Sequence, residues 1–314
     1  MKKQANVGGQ AVIEGVMMRG SKGLATAIRK PNNEIEVQFE DKKPLTKKNK
    51  VFSLPIIRGF ISLLDSLIIG IKSLNYSASF FEEEGELSKF DKWFEGIFKD
   101  KTNDIIMGFS LILSLGFSVL LFFLLPTYTA SAFKFLNVQN TLVLNIIEGI
   151  IRVGIFILYI YLISKMEDIK RVFQYHGAEH KTIFCYENGE ELTPENAMKY
   201  KRFHPRCGTN FMFLVMIVSI IVFSLTGWNS VIERTIYRIV LLPVISGLTY
   251  EIIRWMGKSD SKLSKILAYP GLSLQKLTTR EPDLSQLEVA IKALKVAEGL
   301  EIVFQEDEGT IEML

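Results

Sequence analysis

The chain has three histidines and two cysteines, and all five fall within 32 consecutive residues: His176, His180, Cys185, His204 and Cys207. Imidazole and thiolate are the usual donors to transition-metal ions, so this concentration points first to a metal. In His176-Gly177-Ala178-Glu179-His180 the two imidazoles are four residues apart, on one helix face, where both can reach one cation. Glu179 lies between them in the order of the chain and suits a general base in metal-assisted hydrolysis. The same five residues fit the H-x-x-E-H pattern of inverted zinc peptidases. Further along that helix Glu187 returns to the histidine face, whereas Cys185 falls well off it and reads as a small buried hydrophobe. His204-Pro205-Arg206-Cys207 adds a compact two-donor unit. The expected ligands are therefore His176, His180, His204 and Cys207, with Glu179 as the catalytic group. Zinc suits this mixed donor set best, and iron or manganese is also compatible with it. A closed four-ligand structural site and an open catalytic one both fit the count.

Other residues stand near this cluster in type or expected depth. Glu251 closes the run Thr249-Tyr250-Glu251 at the end of an apolar stretch, where it could complete the site or orient a ligand. Glu14 and Arg19 are bracketed by Gly8, Gly9, Gly15 and Gly20, glycines that permit close approach of another backbone. That spacing is not a nucleotide-binding pattern. Glu148 and Arg152 are four apart with the acid first, the favourable order for an ion pair along a helix. They read equally as a packing pair and as part of a transport path. Arg238 is expected near the outer end of an apolar stretch, with its guanidinium snorkelling to water.

The elements that must carry these groups are mostly membrane helices. Hydrophobic residues make up 48% of 314 and charged ones still 23%, so polar and apolar segments are segregated along the chain. Mean hydropathy is +0.22. Four stretches are long and apolar enough to span: Ile105–Leu125, ending at Pro126, then Leu142–Ile163, Phe211–Trp228 and Ile236–Trp255. No secretion-signal core precedes them. Residues 1–50 carry eleven Lys and Arg and residues 164–207 carry eight, against Lys134 and Arg234 alone in the two short connections. Both termini and the His/Cys loop are therefore expected in the cytoplasm. The run from Val51 to Leu74 carries Arg58, Asp65 and Lys72 at seven-residue spacing, with Ser62, Ser66 and Ser73 beside them. It reads as an amphipathic helix begun near Pro55, at the interface or against the bundle, with re-entry into the bilayer a lesser alternative.

Outside the membrane, Leu24–Lys30 and Glu34–Phe39 alternate around Pro31-Asn32-Asn33 as a hairpin should, and Val7–Gly20 supplies one more strand. Leu284, Leu287, Ile291 and Leu294 line a helix started by Asp283 and Gln286 and stopped by Gly299. Glu301–Gln305 reads as a short strand. The expected organisation is a β-rich segment at 1–50, an interfacial helix at 51–75, four transmembrane helices over 104–255 enclosing the loop 164–208, and an α/β segment at 256–314. The fold class is thus a mainly α membrane protein whose two termini form a small cytoplasmic α/β cap. Net charge is +3, which gives no field for nucleic acid. The expected partners are the lipid bilayer and other membrane proteins.

Four motifs make a family resemblance visible: GGQAVIEGVMMRG at 8–20, HGAEHKTIFCYENGEELTPENA at 176–197, RFHPRCGTNF at 202–211 and LTTREPDLSQLEVAI at 277–291. Together they resemble the bacterial YqhQ-type membrane proteins. That family carries a domain of unknown function and is described as a predicted metal-dependent enzyme. The resemblance implies a multi-pass protein of the bacterial cytoplasmic membrane with a cytoplasmic metal site and no assigned reaction. The expected function is a metal-dependent membrane enzyme, hydrolytic in class. Its alternative is a non-catalytic factor, metal-stabilised, that assists membrane-protein assembly, quality control or transporter regulation.

Overall fold

The structure, a computed structural model, describes residues 7–81, 102–133, 137, 140–205, 207–226, 230–259 and 261–302. It is mainly helical, with one small sheet, and divides into two compact units. The first comprises Met1–Phe81, Ile160–Val218 and Leu242–Leu314; the second comprises Glu82–Tyr159 and Ser219–Leu241.

In the first unit a four-stranded antiparallel meander, β1 (Gly8–Val12), β2 (Gly15–Arg19), β3 (Leu24–Arg29) and β4 (Ile35–Glu40), runs in chain order. Val7–Gly20 forms two strands where one was expected. A two-residue turn at Ile13-Glu14 folds the segment on itself, with Val12 opposite Gly15 and Glu14 at φ 49°. Gly15 is required there, because a Cβ would lie 2.3 Å from the Ala27 carbonyl oxygen. Strands β2 and β3 are apolar at almost every position because both sheet faces are covered. Val16, Met18, Ala25, Ala27 and Val37 pack with α5 (Glu167–Glu187) and the final described helix, α10 (Leu284–Ala297). Val12, Met17, Leu24 and Ile28 meet Ile69, Tyr76, Phe80 and Phe81, of which the first two lie on α1 (Ile57–Ala78). Helix α10 starts on the expected capping box of Asp283 and Gln286, and Gly299 follows it at φ +71°. The expected strand at Glu301–Gln305 lies mostly outside the described residues.

Helix α1 starts at Ile57, later than the apolar run suggests, and its polarity is inverted. Its buried face is Gly59, Asp65, Ile69, Gly70, Ser73 and Ser77, while Leu64, Leu67, Ile68, Ile71 and Leu74 are exposed. Asp65 accepts from Arg19 at 3.0 Å, and Ser77 Oγ accepts from the Ile13 N–H. Gly59 lets α1 press onto α8 (Val231–Met256): a Cβ there would come within 2.8 Å of the Gly247 Cα.

Among the described residues three helices are long and apolar enough to cross a membrane: Gly108–Ala132, Thr141–Ile163 and Ile232–Met256. The fourth expected span is shorter. Helix α7 (Gly208–Ser224) has 17 residues, or roughly 25 Å of rise. Pro126 does not end the first span, as expected from sequence. Helix α2 (Thr102–Val119) passes through a π-helical turn, Leu120–Leu124, into α3 (Leu125–Ala132). Pro126 has no N–H for the Phe122 carbonyl, and Arg152 Nε donates to that oxygen instead, at 3.1 Å.

Arg152 lies on α4 (Thr141–Ile163) and also donates to Glu148, at 2.6 Å. Arg238 does not snorkel outward: it is buried and donates to the same Glu148 oxygen and, at 2.6 Å, to Thr127 Oγ1. The Arg234 guanidinium lies 3.6 Å from the other carboxylate oxygen.

Candidate metal centre

Helix α5 carries His176 and His180 one turn apart, with ring centroids 4.5 Å from each other. Each ring is fixed through Nδ1 on a backbone carbonyl. His176 Nδ1 lies 2.8 Å from the Thr278 oxygen, and His180 Nδ1 lies 2.5 Å from the Arg202 oxygen. A carbonyl can only accept, so both Nδ1 atoms carry the proton and both Nε2 atoms present a lone pair. His176 Nε2 is 3.1 Å from Cys207 Sγ. His180 Nε2 is buried and has no hydrogen-bond partner among the described residues. One donor atom each from His176, His180 and Cys207 lies within 4.8 Å of the other two. A tetrahedral zinc ion spaces such donors by roughly 3.5 Å, a gap that side-chain rotation closes.

Cys207 sits just before the first residue of α7. Its sulfur accepts from Thr209 Oγ1 at 3.3 Å and from the Thr209 N–H at 3.5 Å. Both bonds hold the sulfur at the entry of α7.

The surrounding chain explains how three distant segments meet. Gly177 is where residues 278–280 cross α5: a Cβ would lie 2.1 Å from the Arg280 oxygen, and the Arg280 N–H donates to Phe173. That crossing delivers the Thr278 carbonyl to His176. Helix α9 (Lys262–Thr278) then holds the loop before α7, because Gln275 clasps the His204 backbone through its N–H and its carbonyl, both at 2.7 Å. On the other side of the loop the buried Lys181 ammonium donates to the Met198 and Tyr200 carbonyls, at 2.9 and 2.7 Å. Gln275, Lys181 and the carbonyls of Thr278 and Arg202 were missed by sequence reasoning. Backbone oxygens have no residue signature, and a lone glutamine has no spacing.

The remaining expected residues are distributed around this group. His204 is buried against Phe184, with its ring 5.5 Å from that of His180 and its Nε2 3.9 Å from a Glu187 carboxylate oxygen. It therefore neighbours the three-atom group without joining it, and Glu187 turns to His204. Glu179 is buried and turned to β1, where it accepts from the Gly9 N–H; burial pushes its carboxyl up, and the neighbouring His176 opposes that shift. Gly9 has no room for a Cβ, which would sit 2.6 Å from the Met17 oxygen and 3.1 Å from Glu179 Cγ. Cys185 is fully buried among apolar side chains, as its place on the helix implied. Three accessory candidates are committed elsewhere. Glu251 receives two bonds from Arg58, at 2.6 and 2.5 Å, Glu14 pairs with Arg171, and Arg19 pairs with Asp65.

Comparison with known proteins assigns no chemistry to this arrangement. A family described as "Protein of unknown function (DUF1385)" matches residues 54–299. The "Uncharacterized protein YqhQ" of Bacillus subtilis (strain 168) is 37% identical over 310 residues, covering 96% of this chain and 95% of that protein. No solved structure matches the chain.

Proposed function

We propose, for a chain that belongs to the DUF1385 family of unknown function, a metal-dependent membrane enzyme of hydrolytic class. The observation that carries this reading is the orientation of the two imidazoles. Each Nδ1 is tied to a carbonyl, His176 Nε2 lies 3.1 Å from the Cys207 sulfur, and a His180 ring nitrogen lies within 4.8 Å of the other two donor atoms. Carbonyl-anchored rings are a recurrent arrangement behind metal ligands, and His180 Nε2 is a buried acceptor awaiting a positive partner. His176, His180 and Cys207 would hold the ion, with zinc favoured by the donor set. Three protein ligands leave one coordination position, where a divalent ion acts as a Lewis acid on a substrate oxygen. Thr209 would orient the Cys207 sulfur, Glu179 would move the proton, and His204 with Glu187 would border the open position. His204 swinging in as fourth ligand would instead close the site.

The membrane setting extends the same reading. With α7 counted as a short span, four helices cross the bilayer, and the Lys and Arg distribution puts both termini and the metal centre in the cytoplasm. The exposed apolar face of α1 would lie against lipid.

Metal content per chain tests the proposal, on detergent-purified protein loaded with zinc and then desalted. About one equivalent is expected in wild type. In His176→Ala, His180→Ala and Cys207→Ala it should be lost while the melting transition persists. Wild type that stays metal-free after loading overturns the reading. Glu179→Gln should keep the metal and lose turnover on a panel of chromogenic esters, phosphoesters and peptides. A second reading is favoured by the lacing of residues 198–207 onto α5 and α9: the metal would be a clamp in a non-catalytic factor. Loss of fold together with metal in all three variants selects it.

A further inference from the structure

In the second unit, three guanidinium groups converge on one carboxylate. Arg152 and Arg238 both donate to Glu148 Oε1, which also accepts from Thr127 Oγ1 at 3.1 Å, and Arg234 stands 3.6 Å from Oε2. Side-chain exposure is 3% for Glu148, 4% for Arg234, 5% for Arg238 and 13% for Arg152. Arginine does not shed its proton in proteins, so burial cannot neutralise the cluster. Arg152 and Arg238 therefore outnumber the one acid to which both donate. The Phe223 ring lies within 6.0 Å of both these guanidiniums and offsets part of the excess. A packing pair needs one cation per carboxylate. An excess held in an apolar helix bundle needs an anion.

We propose that the Arg152/Arg234/Arg238 cluster binds an oxyanion of the phosphate class. Planar guanidinium forks match two oxygens of a phosphate at once, and Thr127 adds a hydroxyl donor when it releases Glu148. Glu148 then holds the forks in place and competes with the ligand. Glu148 and Arg238 are each the eighth residue of their helix, about 10 Å of rise from its first residue. Held on Glu148, Arg152 and Arg238 do not reach out to water, so a phosphate oxygen must come in to them. The anion thus comes either from a phospholipid headgroup or from free phosphate. The site stands whether or not the His/Cys group holds a metal.

The test uses the full chain, delipidated in a non-ionic detergent. Melting is followed with inorganic phosphate, with phosphatidylglycerol in mixed micelles, and with chloride at matched ionic strength. Wild type should melt a few degrees higher with at least one phosphate probe than with chloride. A shift with inorganic phosphate identifies the free anion as sufficient, and a shift with phosphatidylglycerol alone identifies the headgroup. Glu148→Gln should bind the effective probe about tenfold more tightly, because a like charge is gone from the site. Arg238→Gln should bind it about tenfold more weakly. If Arg238→Gln does not fold, the opposite sign expected of Glu148→Gln still decides. The proposal is overturned if neither probe moves wild type beyond chloride, or if Glu148→Gln weakens the response.

Discussion

Gly177, lying between the two α5 histidines in sequence, places an imidazole it does not touch. With no side chain there, the Arg280 oxygen reaches α5 and brings the Thr278 carbonyl to His176 Nδ1. Gly177→Ala must push that crossing away. Overpacking of this kind costs about 1–3 kcal/mol, visible as a lower melting temperature. Loss of the anchoring carbonyl should also weaken zinc about 10–100-fold in a chelator competition. Unchanged zinc affinity would show that the carbonyl does not orient the ring. The two cysteines should differ just as clearly. Cys185 is buried and its thiol is pushed up, chiefly by burial and further by Glu190, so little thiolate forms near pH 8. Cys207 is half-buried and bonded to donors. Iodoacetamide should alkylate Cys207 first, and zinc should protect it; preferential modification of Cys185 would contradict this assignment.

At the scale of elements, α1 shows why sequence pattern and structure part company. Of its recurring Arg58, Asp65 and Lys72, the first two turn inward together with Ser73, whereas Lys72 is exposed. Arg58 pairs with Glu251 and Asp65 with Arg19, leaving Leu64, Leu67, Ile68, Ile71 and Leu74 outside. Periodicity identifies a stripe without saying which stripe meets protein, because lipid and core are equally apolar. Arg58→Gln or Glu251→Gln should loosen α1 and speed its amide exchange. A double-mutant cycle should give a coupling near ~1 kcal/mol. Additive effects would mean the pair contributes nothing to docking. The histidine pair was legible because both partners lie on one helix, and the hairpin and capping box because their signals are local. The π turn before Pro126 was not, and the donor to its Phe122 carbonyl, Arg152, lies 30 residues away.

Across the whole molecule, residues 8–40 and 284–298 build one structure although they are far apart in sequence. Gly20 abuts the Ala297 oxygen, the Ser21 N–H donates to Glu298 at 2.7 Å, and Arg29 donates to the Ser285 carbonyl at 3.0 Å. The sheet's inner face, Val16, Met18, Ala25 and Ala27, has α10 among its principal cover. A chain ended after Arg280 should therefore be cut within residues 8–40 under limited proteolysis that spares the full chain. Resistance of those strands would mean that α5 alone protects them.

This closure also sets a schedule. Arg29 and Ser285 are 256 residues apart, and at ribosomal speeds of about 5–20 residues per second the first strands wait roughly 13–50 s for the helix that covers them. Throughout that delay a pleated apolar surface is open while the apolar helices between are being made. The newborn sheet must stay unaggregated over that interval, and translation of residues 284–297 acts as the timer that ends its exposure.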